Sequence, residues 1–320
     1  MTKPLSRRRV LTLSTLGVAA TLGGCASTAP LADDAGAGAV ASPGPVSVRI
    51  GRRLRLHMFQ TGWVAVKEPH RAYAGPASLR FPRIFLSRTW TEWLPVTAFV
   101  IEHPEGLFVV DTGETARILD PDYAACDAMT GLIYRRNLRF ALSGDDEIGP
   151  QMRRAGLPPG NVDTVIMTHL HSDHMGGMRH FPQATFLVGE AGVGGHNGAL
   201  MCRIPTSATL QPVKHTENAV GAFSHSHAVT QDGAITVVPT PGHANGHQSV
   251  LLQDDGVSVC LVGDAAFTLD QILTGETAGI VESVPDTEAS AATLKTQFED
   301  FNTVMLPTHD PDNAARLRSL

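Results

Sequence analysis

A chain of 320 residues with 42% hydrophobic content has ample apolar material for a large core, and its composition rules out collagen, coiled coil and wholesale disorder. The formal charge is −6, from 25 Lys+Arg against 31 Asp+Glu, which argues against a phosphate backbone and hence against a nucleic-acid partner. Loss of residues 1–25, which hold four basic and no acidic residues, would deepen the balance to −10.

The first residues read as an export signal. Arg7, Arg8 and Arg9 precede an apolar run over residues 10–24 that is too short to span a bilayer. SRRRVLT (6–12) resembles the twin-arginine export motif, and LGGC (22–25) resembles a lipoprotein cleavage box that leaves Cys25 as the acylated first residue. The alternative is a generic secretory signal cleaved slightly downstream. Either address delivers the mature chain outside the cytoplasm, to the periplasm or to a membrane through a lipid on Cys25. Residues 26–45, ASTAPLADDAGAGAVASPGP, are too poor in large apolar groups to offset the entropy of ordering them, and read as a flexible linker. No fixed repeat and no second linker follows, so residues 46–320 read as one domain.

Within that domain, Trp90 and Trp93 in RTWTEWLP read as core residues, or alternatively as the wall of an apolar substrate cleft. VTAFVIEHPEGLFVVDTG (96–113) is two β-rich runs around the turn residues 103–106, a hairpin. A helix is expected around residues 148–155, and a strand over 162–170 that runs straight into a histidine cluster. Further strands are expected at 185–188, 235–239, 248–252, 257–262 and 303–306. A helix over 287–301 would set Leu294, Phe298 and Phe301 on one face. Strands interleaved with helices, with polar residues gathering at strand ends, point to a layered α/β architecture. With Cys25 set aside, Cys126, Cys202 and Cys260 make no full disulfide framework; they read as small buried hydrophobes, with one bridge open to them in an oxidising compartment.

The chemistry is concentrated in THLHSDHMGG (168–177). If the strand continues to His171, His169 and His171 point the same way, because side chains of extended chain alternate with period two. A tight turn through Ser172 brings Asp173 and His174 beside them, and Gly176-Gly177 lets backbone pass close by. Imidazole and carboxylate are ordinary ligands of zinc or a similar divalent ion. More ligands are then expected at distant strand ends: His243 in PTPGHANGH, Asp264 in CLVGDAAF and His309 in MLPTHDP each follow a β run and carry Gly or Pro nearby. Asp111 reads either as an orienting partner of a ligand histidine or as a carboxylate closing a strand turn. His247 reads as a structural hydrogen-bonding group, and His225 and His227 in SHSHA as a solvated loop. The glycines of GEAGVGGHNG resemble a phosphate loop only loosely, since its Lys is absent.

HxHxDH followed in order by PGH, GDA and a C-terminal His resembles the metallo-β-lactamase superfamily, and VVDTGE (109–114) resembles its early DTG strand end. The resemblance implies a four-layer αββα sandwich with a two-metal site at the edge of its sheets. It implies that His169, His171 and His243 hold one ion, that Asp173, His174 and His309 hold the other, and that Asp264 bridges them. Two such ions, about 3.5–4 Å apart, hold a water and lower its pKa from about 16 toward about 7, supplying hydroxide at neutral pH without a serine or cysteine nucleophile. Asp173 would shuttle a proton to the leaving group. No GxSxG supports a serine alternative.

His171 stands where redox members of the superfamily carry an acidic residue, which favours hydrolysis, and Asp264 argues against β-lactam cleavage. LPVTAFVIEHPEGLFVVDTG, THLHSDHMGG, TPGHANGHQSV, GDAAFTL and LPTHDP are similar to the N-acyl homoserine lactonases, which implies lactone opening with the acyl chain in an apolar groove. One departure is Phe267, where the lactonases place a tyrosine that helps position the substrate; other lactones, arylesters and organophosphate triesters therefore stay open. A different class of reading is a metal-loaded surface lipoprotein that captures a ligand without turnover.

Overall fold

The computed structural model describes residues 42–216 and 218–320, so the segment read as an export signal, Cys25 and the expected linker up to residue 41 lie outside the described residues. Ser42 to Pro45 have no regular structure, and the first strand opens at Val46.

The larger sheet contains β1 (Val46–Ile50), β2 (Leu54–Val66), β3 (Leu94–His103), β4 (Gly106–Val110), β5 (Leu138–Ala141), β6 (Val162–Ile166), β7 (Thr185–Gly189) and β8 (Thr209–Val213). Its order is β1-β2-β3-β4-β6-β7-β8, with β5 pairing the second half of β2. The expected hairpin is β3 and β4, antiparallel, closing at His103 opposite Gly106. The smaller sheet contains β9 (His227–Ala228), β10 (Ile235–Pro239), β11 (Gln248–Asp254), β12 (Val257–Gly263) and β13 (Val304–Pro307), in the order β13-β12-β11-β10-β9.

Alternation along the strands sorts the side chains into three apolar layers. On β3, Leu94, Val96, Ala98 and Val100 face an outer core, whereas Phe99 and Ile101 face a central one. In the smaller sheet, Val237, Val250, Leu252, Val259 and Leu261 join that central core, while Leu251, Cys260, Val262 and Met305 turn outward. Each fully buried aliphatic side chain contributes roughly 1.5–3 kcal/mol, so the central layer fixes the two sheets face to face. The outer face of the larger sheet is covered by α3 (Ala128–Asn137) and α4 (Ile148–Arg154), through Tyr134, Ile148 and Met152. That of the smaller sheet is covered by α6 (Leu269–Thr274) and α7 (Val284–Asp300), through Ile272 and Leu294. The result is the expected αββα sandwich. Short helices α1 (Glu68–Arg71), α2 (Ala77–Leu86), α5 (Ser172–Met175) and α8 (Asn313–Arg318) complete the described set.

Two sequence expectations need correction. The helix expected over 287–301 begins earlier, at the Ser283 cap with Pro285 in its first turn, and ends before Phe301. Phe301 therefore leaves the apolar face and is 45% exposed. Cys126 and Cys202 are joined in a disulfide, so only Cys260 is a small buried hydrophobe. The bridge fastens the segment capping α3 to the turn at Met201–Arg203.

Candidate metal centre

The centre lies where the chain passes from one sheet to the other. β6 stops at Ile166, short of the expected residue 170. Met167 N–H still bonds Leu187 O in the larger sheet (2.9 Å), but Gln248 then takes over the chain, its N–H donating to Thr168 O (3.0 Å) and its Nε2 to Met167 O (3.0 Å). His169 and His171 sit beyond this crossing and still meet, Nε2 of His169 lying 2.8 Å from Nδ1 of His171. His171 is extended (φ −70°, ψ 160°) and opens α5, the single turn that carries Asp173 and His174. The two glycines after it allow a close backbone approach: a Cβ on Gly177 would fall 2.3 Å from Thr112 O.

Three other strand ends converge on the same point. His243 follows β10, Asp264 follows β12 and His309 follows β13. His243 Nε2 lies 3.0 Å from His171 Nδ1 and 3.6 Å from Asp264 Oδ2. His309 Nε2 lies 3.3 Å from Asp264 Oδ2 and 3.4 Å from Asp173 Oδ2, and His174 Nε2 lies 3.3 Å from Asp264 Oδ1. Two trios, His169–His171–His243 and Asp173–His174–His309, thus flank Asp264, each with donor atoms within 4.8 Å of one another.

The rear nitrogens of four of these rings are engaged, whereas Nδ1 of His243 is buried without a partner. His174 Nδ1–H donates to Asp111 Oδ2 (2.7 Å), His309 Nδ1–H to Pro95 O (2.8 Å) and His171 Nε2–H to Asn197 O (3.0 Å). His169 Nδ1 meets Thr168 Oγ1 at 3.1 Å, and that hydroxyl donates onward to Asp111 Oδ2 at 2.8 Å. These bonds place the protons at the back and turn the lone pairs of four rings inward, the tautomers a cation requires. His174 Nε2 and Asp264 Oδ1 are buried without a hydrogen-bond partner. Leaving such groups unmet is costly, so the donor set fits divalent metal.

Asp111, at φ 55°, thus does both things proposed for it: it closes the strand turn and holds a histidine. His247 accepts from Asp264 N–H (3.0 Å) and passes its own Nδ1–H to Thr240 Oγ1 (2.9 Å), which fixes the backbone of the central aspartate. The glycine-rich loop supports the cluster from behind: His196 Nε2 accepts Leu170 N–H (3.0 Å) and Asn197 O holds His171.

The electrostatics divide the centre in two. Burial and neighbouring imidazoles hold His169 and His171 well below the usual range, and burial takes His243 down to about 3. Against burial, Asp264 and then Asp111 hold His174 well above its ordinary value, and Asp264 likewise raises His309. Against the same burial penalty, His309 and His174 hold Asp264 well below the carboxylate range. The second trio therefore sits in a negative field that favours a cation.

A cavity of about 790 Å3 opens over the cluster, within the usual range for small-molecule sites. Its lining includes apolar side chains: Phe81 on α2, Met129 and Ile133 on α3, Val281 before α7 and Val284 at its start. Asp173 is the carboxylate more open to it, its side chain 14% exposed against 5% for Asp264. Phe267 lines the cavity beside His243 and His309. Trp90 and Trp93 do not. Trp90 is stacked between Lys67, 3.5 Å from its ring centre, and Arg139 at 4.0 Å, and Trp93 is half-buried ahead of β3. Trp90 serves the sheet edge, where these cations hold its indole.

His225 is exposed, whereas His227 is not a loop residue but pairs with Val237 through β9; neither belongs to the cluster. Another trio of metal-ligand types, His103, Glu105 and Asp232, is a hydrogen-bonded corner. Glu105 N–H donates to His103 Nδ1 (3.0 Å), so His103 Nε2 carries the proton toward Asp232 (3.0 Å), which also pairs with Arg53.

The sequence profile of the metallo-beta-lactamase superfamily matches residues 91–309. The chain is 29% identical over 232 residues to an N-acyl homoserine lactonase AttM of Agrobacterium fabrum, covering 70% of this chain and 85% of that one. It is 30% identical over 236 residues to an AttM lactonase of Azorhizobium caulinodans, covering 68% and 83%. Among solved structures, it resembles an N-acyl homoserine lactone hydrolase with N-hexanoyl-L-homoserine at its catalytic metal centre, with a TM-score of 0.66, 18% identity and coverage of 83% and 96%. It also resembles AidC, a dizinc quorum-quenching lactonase, with a TM-score of 0.56, 14% identity and coverage of 84% and 91%. With the profile spanning more than half of the chain and the sandwich it describes in place, the protein belongs to the metallo-β-lactamase superfamily and is a metal-dependent hydrolase.

Proposed function

We propose that the cluster holds two divalent ions, zinc by its imidazole-rich donor set, with His169, His171 and His243 on one, Asp173, His174 and His309 on the other, and Asp264 between them. The substrate class is a lactone carrying an acyl chain, an N-acyl homoserine lactone foremost, so that hydrolysis quenches the signal; other lactones, arylesters and phosphotriesters are the alternatives. The observation that carries this reading is the inward turn of the imidazole lone pairs of His169, His171, His174 and His309 around Asp264, enforced by a hydrogen bond behind each of these four rings. The names of the relatives support the substrate class.

Ions at such a centre polarise the substrate carbonyl and lower the pKa of a shared water from about 16 toward about 7. The remaining work falls to side chains of this protein. Asp173 faces the cavity, where its carboxylate would take the proton released by the attacking water and pass it to the departing ring oxygen. The wall formed by Phe81, Met129, Ile133 and Val284 accepts the acyl chain and excludes water from it. The Cys126–Cys202 bridge supports an exported location, where disulfides persist.

Purified protein should contain about two metal ions per chain, measured by plasma mass spectrometry, and should open acyl homoserine lactones, followed by chromatography. Activity should vanish on chelation and in His169→Ala. A full metal complement with no turnover across lactones, esters, β-lactams and phosphotriesters would instead favour a ligand-capturing lipoprotein.

A further inference from the structure

The cavity has a polar feature that the metal ligands do not account for. On the side of His243 and His309 its wall is Phe267, with ring centres 6.2 and 4.9 Å from theirs, and a benzene ring offers no hydrogen bond. Next to Phe267, 6.1 Å away, stands the imidazole of His70, which also lines the cavity.

The backbone that carries this ring is held firmly. His70 N–H donates to Lys67 O (2.7 Å), and His70 O accepts Gly279 N–H (2.7 Å). Gly279 packs so closely that a Cβ there would fall 1.7 Å from Pro69 O. Gln271 ties the two rings' segments together, its Oε1 accepting Phe267 N–H (2.8 Å) while its Nε2 donates to Arg71 O (2.8 Å). Such rigid support is what a group that must meet a substrate in one orientation needs.

Nδ1 of His70 is enclosed with no hydrogen-bond partner, and no hydrogen bond reaches Nε2 among the described residues. Because the ring lines the cavity and Nδ1 is enclosed, Nε2 is left to face it. An enclosed lone pair is tolerated better than an enclosed N–H, so the proton belongs on Nε2. Burial first, and then the charge of His243, takes the pKa of His70 down to about 3, with Asp264 acting in the opposite sense. The ring is therefore a neutral donor throughout the range in which proteins work.

We propose that His70 is a substrate-contacting residue whose Nε2–H donates a hydrogen bond to the carbonyl oxygen of a lactone or ester held over the metal cluster, on the wall where Phe267 supplies none. The assignment rests on the hydrolase reading above.

The test compares metal-loaded wild type, His70→Phe and the double variant His70→Phe/Phe267→Tyr. Phe keeps the flat ring and removes the donor, and a phenol at residue 267 places a new donor in the same wall. His70→Phe should keep its metal content and lose about 100-fold in kcat, the scale of one carbonyl-oxygen donor, with a smaller change in KM. Binding of a non-hydrolysable N-acyl lactam, measured by calorimetry, should weaken about tenfold, as expected for one hydrogen bond. The double variant should recover at least about tenfold of the lost kcat, which a packing defect would not allow. An active wild type with an unaffected His70→Phe, or a loss that Phe267→Tyr does not restore, overturns the assignment alone. A metal-loaded wild type inactive on every lactone and ester overturns the hydrolase reading and this assignment with it.

Discussion

Asp111 and His174, 63 positions apart, are joined by a 2.7 Å hydrogen bond between Oδ2 and Nδ1–H with both side chains almost fully buried. The same carboxylate accepts Thr168 N–H at 2.7 Å, so a single residue fixes both the crossing of the chain and one ring of the cluster. Asp111→Asn should lower metal affinity by about 10- to 100-fold, the usual cost of losing a partner behind a ligand histidine. On the proposed two-ion assignment, metal titration would show the ion on Asp173, His174 and His309 weakened most, with a smaller effect on the other through Thr168 and His169.

Glu114 is buried, and one of its oxygens, Oε2, has no partner. Burial, and then the charge of Asp173, raises its pKa from an ordinary 4.5 to about 8. The fold therefore binds a proton that the unfolded chain releases between those values. Stability from this group is complete below about 4.5 and is lost as the pH rises through about 8. In chelated protein, Glu114→Gln should raise the melting temperature at pH 8 and leave it nearly unchanged at pH 4.5. Parallel melting curves for the two proteins across that range would refute this.

The disulfide closes a sequence separation of 76 residues. By chain entropy, its removal in Cys126→Ser/Cys202→Ser should cost about 4 kcal/mol. Because it fastens the start of α3 to the loop beyond Asn197 and Gly198, both at the cavity, KM for long-chain lactones should rise more than KM for short ones. Urea melts and a chain-length series measure the two effects separately.

Gly177 has an ordinary backbone conformation, so its requirement is one of space. A methyl group would press on Thr112 O and on Ile148 at 2.9 Å. Gly177→Ala should destabilise the protein by about 1–3 kcal/mol, whereas Gly160→Ala, which meets nothing within 4 Å, serves as its neutral control.

The seven cluster residues were legible because each lies in a short motif at a strand end, where Gly and Pro mark the turn. The central strands were legible because their alternation is regular, down to Cys260 between Val259 and Leu261. The cavity wall was not. On α2, Leu79 and Phe81 are each 48% exposed and Leu86 71%, so its apolar residues do not form the buried stripe that periodicity detects. His70 stands alone in EPHRAY with no neighbour of its own kind, and only the fold brings it beside Phe267. Pairing of Cys126 with Cys202 likewise depends on where the cavity walls meet. The tryptophans misled because aromatic content reports burial or binding equally; Trp90 is held by Lys67 and Arg139, and Trp93 is half-buried away from the cavity.

The hand-over of the chain from Leu187 to Gln248 puts four cluster residues on one plate of the sandwich and His243, Asp264 and His309 on the other. Ions seated there would act as rivets through both plates, so their binding energy resists sliding of one sheet across the other. Stripping them should slacken this seam before either sheet frays, and amide exchange would register it first at Thr168, Gln248 and Asp264.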